Sequence, residues 1–274
     1  MPSVNRQVLP GFSLTLGYTV FYLSLIVLLP IAAVFLKAAS LSLEEFWAAV
    51  WTERARAAYL LTFGAAFVAA IANLFLGLLV AWVLVRYTFP GKRLIDSLVD
   101  LPLALPTAVA GLVYASLYVE KGWLGQYLVP LGIHGAYTRL GIVLVLIFVG
   151  LPFVVRTVQP ILEDLDPEAE EAAACLGATR GQTFQRVILP TLYPALITGF
   201  ALAFSRGVGE YGSVVFVSGN MPYKTEIAPI LIVARLEEFA YSEATAIAVV
   251  LLVISFALLV LINLLERWSM RHER

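Results

Sequence analysis

Long apolar runs, broken by short polar stretches, govern this chain. A membrane-crossing helix needs roughly 20 mostly apolar residues. Six runs meet that length, at positions 12–36, 57–85, 99–119, 140–162, 191–217 and 244–265. The first, second and last carry no charge. The third holds Pro102, Pro106 and Gly111, the fourth must extend past Arg156, and the fifth contains Arg206 and Glu210. Interrupted or charged spans face other protein or a water-filled path rather than lipid. The pattern predicts an all-α polytopic membrane protein with six transmembrane helices. It forms one domain over residues 1–274, without a linker, low-complexity tract or internal repeat.

Composition agrees. Of the 274 residues, 61% are hydrophobic and 14% charged, and the mean hydropathy is +0.89. A soluble fold of this size cannot hide that much apolar surface. The net charge of −1 gives a nucleic-acid partner no electrostatic support. A lone Cys175 excludes an intrachain disulfide, and His134 and His272 lie too far apart in sequence to suggest a metal site. The run after Gln7 is too long for a signal-peptide core, so it is expected to remain as the first span. Trp47, Trp51, Trp82, Trp123 and Trp268 mostly fall near span ends, as in an aromatic belt.

Six spans place both termini on one side. Ten Lys or Arg residues flank the spans on the side of the termini and seven on the other. The positive-inside rule therefore puts both termini in the cytoplasm.

The connection at 163–190 has helix grammar of its own. Asp166-Pro167 reads as an N-cap followed by a first-turn proline. Glu168, Glu170 and Glu171 suit the positive end of a helix dipole. Gly177 is placed to end that helix in a left-handed conformation. Thr179 and Gln182 have capping-box spacing for a second short helix. Pro190 and Pro194 mark entry to the fifth span. The product is either an amphipathic loop lying on the membrane or a knob that fits a groove on another protein.

Here the residues resemble a known family. Glu171-Ala172-Ala173, Gly177, Val187 and Leu189-Pro190 match the EAA loop of ABC-importer permeases, with Val187 in place of the usual isoleucine. The resemblance implies the type I importer permease architecture and a cytoplasmic loop that docks into a cleft of an ATPase subunit. It also implies that this chain is no enzyme by itself. There is no Walker A pattern: Lys92 follows Gly91, but Arg86 stands where the upstream glycine is required. ATP and Mg2+ would belong to the partner ATPase.

The resemblance narrows further. The stretches Leu101 to Gly111 and Phe204 to Ser213 look like those of sulfate and molybdate permeases. Ser218 to Pro229 and Arg235 to Phe239 are similar to the T-type permeases of sulfate/thiosulfate importers. This implies a bacterial inner-membrane subunit that moves sulfate or thiosulfate by alternating access. Its implied partners are a second, W-type permease, two copies of the ATPase and an external sulfate-binding protein. A molybdate or tungstate importer is the alternative, and an ion-coupled secondary transporter a more remote one.

Arg206 is the deepest cation in a span. It offers positive charge to a passing dianion, with Gly207, Gly209 and Ser213 beside it, or it pairs with Glu210 one turn on. Asp96 and Asp100 fall one turn apart, as solvated interfacial residues or as a pair for proton coupling.

Overall fold

The computed structural model describes residues 12–271. Arg6, His272 and Arg274 lie outside the described residues. Every regular element among the described residues is helical. α1 (Phe12–Leu23) passes through a π turn at Ser24–Leu28 into α2 (Leu29–Ala38). α3 (Leu43–Val50) is short, and α4 (Glu53–Arg86) is the longest helix. α5 (Lys92–Val99), α6 (Leu101–Ala104), α7 (Thr107–Tyr118) and α8 (Gly125–Leu128) follow. α9 (Arg139–Glu163) is again long. α10 (Pro167–Cys175) and α11 (Arg180–Thr183) form the polar connection, and a second π turn at Phe184–Ile188 leads into α12 (Leu189–Val208). α13 (Val214–Val217), α14 (Ala228–Glu237) and α15 (Tyr241–Arg271) complete the chain.

The centre is a bundle of α4, α9 and α12. Its α4 face is cut from small residues, Ala65, Ala66, Ala69 and Ala70, which belong to the same buried core as valines 145, 154, 155 and 158 of α9. Small residues let helices approach closely where lipid supplies no hydrophobic drive. Gly77 shows the limit: a Cβ there would lie 2.7 Å from Val154 Cβ. A second cluster joins Val50, Ala55, Ala58, Leu231 and Ile247, tying α3 and α14 to the start of α4 and of α15. α2 lies along α15, and α1 is exposed from Leu14 to Leu23.

Helix direction follows from cross-links at the two ends. Arg86, closing α4, pairs with Glu170, just beyond α9. Arg54, opening α4, pairs with Glu226, and Arg139, opening α9, donates to the Lys224 carbonyl. α4 and α9 therefore run the same way, and the chain between them must return across the layer.

That return corrects the third expected span. Among the described residues, five helices are long and apolar enough to cross a membrane, and residues 99–119 do not form one of them. Leu105 is extended at ψ 137°, because the ring of Pro106 disfavours a helical residue before it. Only α7, with 12 residues, remains as a regular apolar helix.

The fifth span is also corrected. Its helix begins at Arg180 rather than 191 and ends at Val208 rather than 217. The second short helix is thus the start of the long one. The Leu189 N–H reaches back to the Phe184 carbonyl, a five-residue step that widens the turn where Pro190 enters. The other three long helices and the first run fall within a few residues of their expected bounds.

Candidate functional site

The connection after α9 is built from local caps. Asp166 accepts from the Glu168 N–H at 2.9 Å, with Pro167 at the first helical position. At the far end Gly177 takes φ +81°. The Ala178 N–H bonds to the Ala173 carbonyl at 3.0 Å and the Gly177 N–H to the Ala174 carbonyl at 2.9 Å, which closes a Schellman turn. Thr179 and Gln182 then exchange bonds, 2.8 Å from the Thr179 N–H and 3.4 Å from the Gln182 N–H. Each cap uses residues within a few positions of one another.

These turns present an apolar tip. Leu176 is 89% exposed, next to exposed Cys175 and Gly177. Glu171 and Ala172 are exposed too, whereas Ala173, Val187, Leu189 and Pro190 are partly buried. The expected motif thus divides into an outward set on α10 and a set that roots the segment in the bundle. Two rooting residues were not anticipated. Arg86 pairs with Glu170 and lies 5.1 Å over the ring of Trp82, and Trp82 meets Phe184 edge-on at 5.5 Å. Trp82 is therefore a packing residue of this segment rather than a free member of an aromatic belt. A recess of about 320 Å³ between Trp82, Glu170, Arg180 and Phe184 lies beneath the tip.

At the other end of α12, Arg206 and Glu210 form an ion pair. They do not share a helix, because α12 stops at Val208 and Glu210 sits in the turn beyond it. Glu210 is 1% exposed. Its Oε1 accepts from both the N–H and the hydroxyl of Ser213, each at 2.9 Å, and Arg206 takes Oε2. Both carboxylate oxygens are thereby satisfied, as a buried charge requires. The arginine side chain remains one-third exposed. Gly207 abuts Ala66 of α4, where a Cβ would approach to 3.2 Å. A Cβ on Gly209 would meet the Ser205 carbonyl oxygen at 3.8 Å, an ordinary contact. Three of the five residues expected along a path, Gly207, Glu210 and Ser213, are therefore buried, Gly209 is exposed, and Arg206 is the charged group left partly open.

Asp96 and Asp100 stay partly solvated, with side chains 39% and 47% exposed, but they are not unpaired. Arg156 holds both. Its Nε and Nη2 donate to the two Asp100 oxygens at 2.8 and 2.7 Å, and Nη1 donates to Asp96 at 2.7 Å. Nη2 also reaches the Asp96 carbonyl at 2.8 Å, and Nη1 reaches Gln159 at 2.7 Å. The guanidinium fork fits this planar set as an ammonium cannot. The contact anchors α5 and α6 to α9 where the chain is broken.

The connection between α13 and α14 is the third ordered region. The Met221 carbonyl collects the N–H groups of Lys224, Thr225 and Glu226, and the Thr225 hydroxyl accepts from the Met221 N–H. Asn220 and Tyr223 adopt positive φ, +51° and +65°. Glu226 is clasped by Arg54, and Thr62 of α4 accepts from the Ala228 N–H at 2.8 Å.

Comparison with known proteins points one way. The family model described as "Binding-protein-dependent transport system inner membrane component" matches residues 73–273. The chain is 54% identical over 254 residues to the "Sulfate transport system permease protein CysT" of Synechocystis sp., covering 93% of this chain and 89% of the relative. It is 50% identical over 262 residues to the protein of the same name from Escherichia coli, covering 96% and 95%. Among solved structures it superposes on a bacterial ABC transporter that imports the acidic polysaccharide alginate. The TM-score is 0.78, at 14% identity and 93% and 94% coverage. That likeness extends the agreement to the fold.

Proposed function

Because this chain belongs to the family of binding-protein-dependent transport system inner membrane components, we propose that it carries sulfate or thiosulfate through an ATP-driven importer. As a permease of an ABC importer it is a non-catalytic membrane subunit. The cargo assignment is carried by one observation. About half of all positions, over nearly the whole chain, are shared with permeases named for sulfate transport.

On this reading the segment at 163–190 docks on a cytoplasmic ATPase. Leu176 and the Glu171-Ala172 face meet that subunit, and Arg86, Trp82 and Phe184 transmit its movement to α4 and α12. The rooting contacts support this role, because a loop tied to two bundle helices cannot move without them. ATP and Mg2+ are held by the ATPase, present in two copies. The chain makes six crossings with the broken α5–α7 segment as the third, and both termini are cytoplasmic. A W-type permease completes the membrane pair, and an external sulfate-binding protein delivers the anion.

Arg206 is the residue that meets the anion. Glu210 holds it in place and lowers its net field, so attraction is weak enough for release. A bare buried cation would trap a dianion. Capture affinity resides in the external receptor, and the permease supplies passage.

The test is ATPase activity of the reconstituted four-subunit assembly with its binding protein. Stimulation by sulfate or thiosulfate and none by molybdate or tungstate supports the assignment. Stimulation by molybdate alone overturns the cargo and keeps the permease role.

A further inference from the structure

At the end of the bundle opposite the 163–190 segment, α4 and α9 leave a surface groove of about 390 Å³. Its walls are Leu60, Gly64 and Val68 of α4 and Val143 of α9, and Arg139 and Tyr223 stand over its mouth. Leu60 is 76% exposed and Val68 53%, so the groove opens on the outer face of the bundle.

Gly64 is the first clue. Glycine inside a helix costs about 1 kcal/mol relative to alanine. Gly77 on the same helix is explained by Val154 pressed against it, but a Cβ on Gly64 would meet nothing within 4 Å. Helix packing does not require this glycine, and its effect is to deepen the groove. Arg139 is the second clue. Arg54, Arg156 and Arg206 all hold carboxylates, whereas Arg139 has no ion pair among the described residues. Its Nε is fixed on the Lys224 carbonyl at 2.9 Å, which aims the guanidinium and leaves its two terminal amino groups as a fork. Dimensions are the third. From Ala57 to Val68 the groove runs roughly 16 Å at the helical rise. Half of a bilayer's hydrocarbon is about 15 Å thick. An apolar slot of one leaflet's depth, topped by a free cation and a tyrosine, complements a molecule with an oxyanion head and a hydrocarbon tail.

We propose that this groove holds an acyl chain of a phospholipid whose phosphate sits on Arg139. The site depends on the membrane location of the chain and is independent of the transported anion. On the orientation proposed above it lies in the outer leaflet.

The experiment uses the assembled importer purified in detergent, with bound lipid counted by native mass spectrometry. Phosphatidylglycerol and a diacylglycerol with the same chains are supplied separately. One phosphatidylglycerol is retained per copy of this chain, and the diacylglycerol, lacking phosphate, is not. Arg139→Gln removes the charge-assisted bonds and lowers retention about tenfold. Gly64→Leu fills the slot and lowers it similarly, and Gly64→Ala lowers it less. Assembly yield and basal ATPase activity of each variant confirm folding. Equal retention by the wild type and both severe variants overturns the site. Retention of diacylglycerol equal to phosphatidylglycerol overturns the role of Arg139. Displacement of the lipid by added sulfate makes it a free-anion site instead. A photo-crosslink to the partner permease from a benzophenone maleimide on a Leu60→Cys variant, in a Cys175→Ala background, makes the occupant protein and overturns the proposal.

Discussion

Arg54 and Glu226 stand 172 positions apart and meet in a two-pronged ion pair, with both arms at 2.7 Å. The carboxylate is 3% exposed. The contact locks the start of α4 to the ordered connection that precedes α14, and the bond from Ala228 to Thr62 continues the same seam. Glu226→Gln leaves the arginine half-paired in a partly dry setting. The expected loss is about 3 kcal/mol, the scale for breaking a buried pair from one side. Replacing both residues with methionine costs less than the single change. Denaturant unfolding in micelles measures each variant, and additive losses would refute the coupling.

The clamp at Arg156 gives an order of effects. Asp100 accepts two bonds and the Asp96 side chain one. Asp100→Asn therefore lowers the thermal midpoint of the assembly more than Asp96→Asn. Arg156→Lys keeps the charge but cannot span both carboxylates, so it falls close to Asp100→Asn. Equal midpoints for the two aspartate variants would show that the fork is unimportant.

Arg206 is tested by uptake. Arg206→Gln together with Glu210→Gln removes both charges while an amide oxygen can still accept from Ser213. If Arg206 attracts the anion, the double variant assembles normally and transports at least about tenfold more slowly, the scale of one lost charge-assisted contact. Arg206→Lys recovers part of the rate. Normal uptake by the double variant, scaled to assembled complex, would leave the pair a purely structural one.

Gly177 is limited by its backbone and not by space. It holds φ +81°, and a Cβ there would meet nothing within 4 Å. Substitutions should then follow left-handed tolerance, with asparagine mildest, alanine costing about 1 kcal/mol and valine worst. The readout is cargo-stimulated ATPase activity of the assembly. If valine retained full stimulation, the turn would have no part in coupling.

Sidedness is checked with an impermeant maleimide on intact cells. Native Cys175 is exposed at the tip of α10, and the proposed orientation predicts that it stays unlabelled. Trp123→Cys in a Cys175→Ala background reacts, since Trp123 is 81% exposed at the Arg139 end. Gly122 is unsuitable as a label site, because a Cβ there would strike the Leu117 carbonyl carbon at 2.7 Å. The reverse labelling pattern would invert the orientation.

The amino-acid sequence alone determined the features whose causes are local. Apolar runs marked the long helices, since hydrocarbon thickness sets their length. Asp166-Pro167, Gly177 and the Thr179–Gln182 pair announced the caps after α9, because each cap closes within a few residues. What only the tertiary structure decided lies at longer range. Arg156 finds its carboxylates 56 and 60 positions away, and no spacing rule links them. Arg86 and Trp82 become the root of the 163–190 segment only because α4 and α9 run parallel and end together. The fifth helix starts early because a π turn admits Pro190, an adjustment of backbone hydrogen bonding that a proline-as-boundary rule does not foresee. Hydropathy measures how much of a segment leaves water. It is blind to which neighbour a charge will meet, and in this bundle those meetings decide which cations are locked on carboxylates and which, like Arg139, hold only a backbone carbonyl.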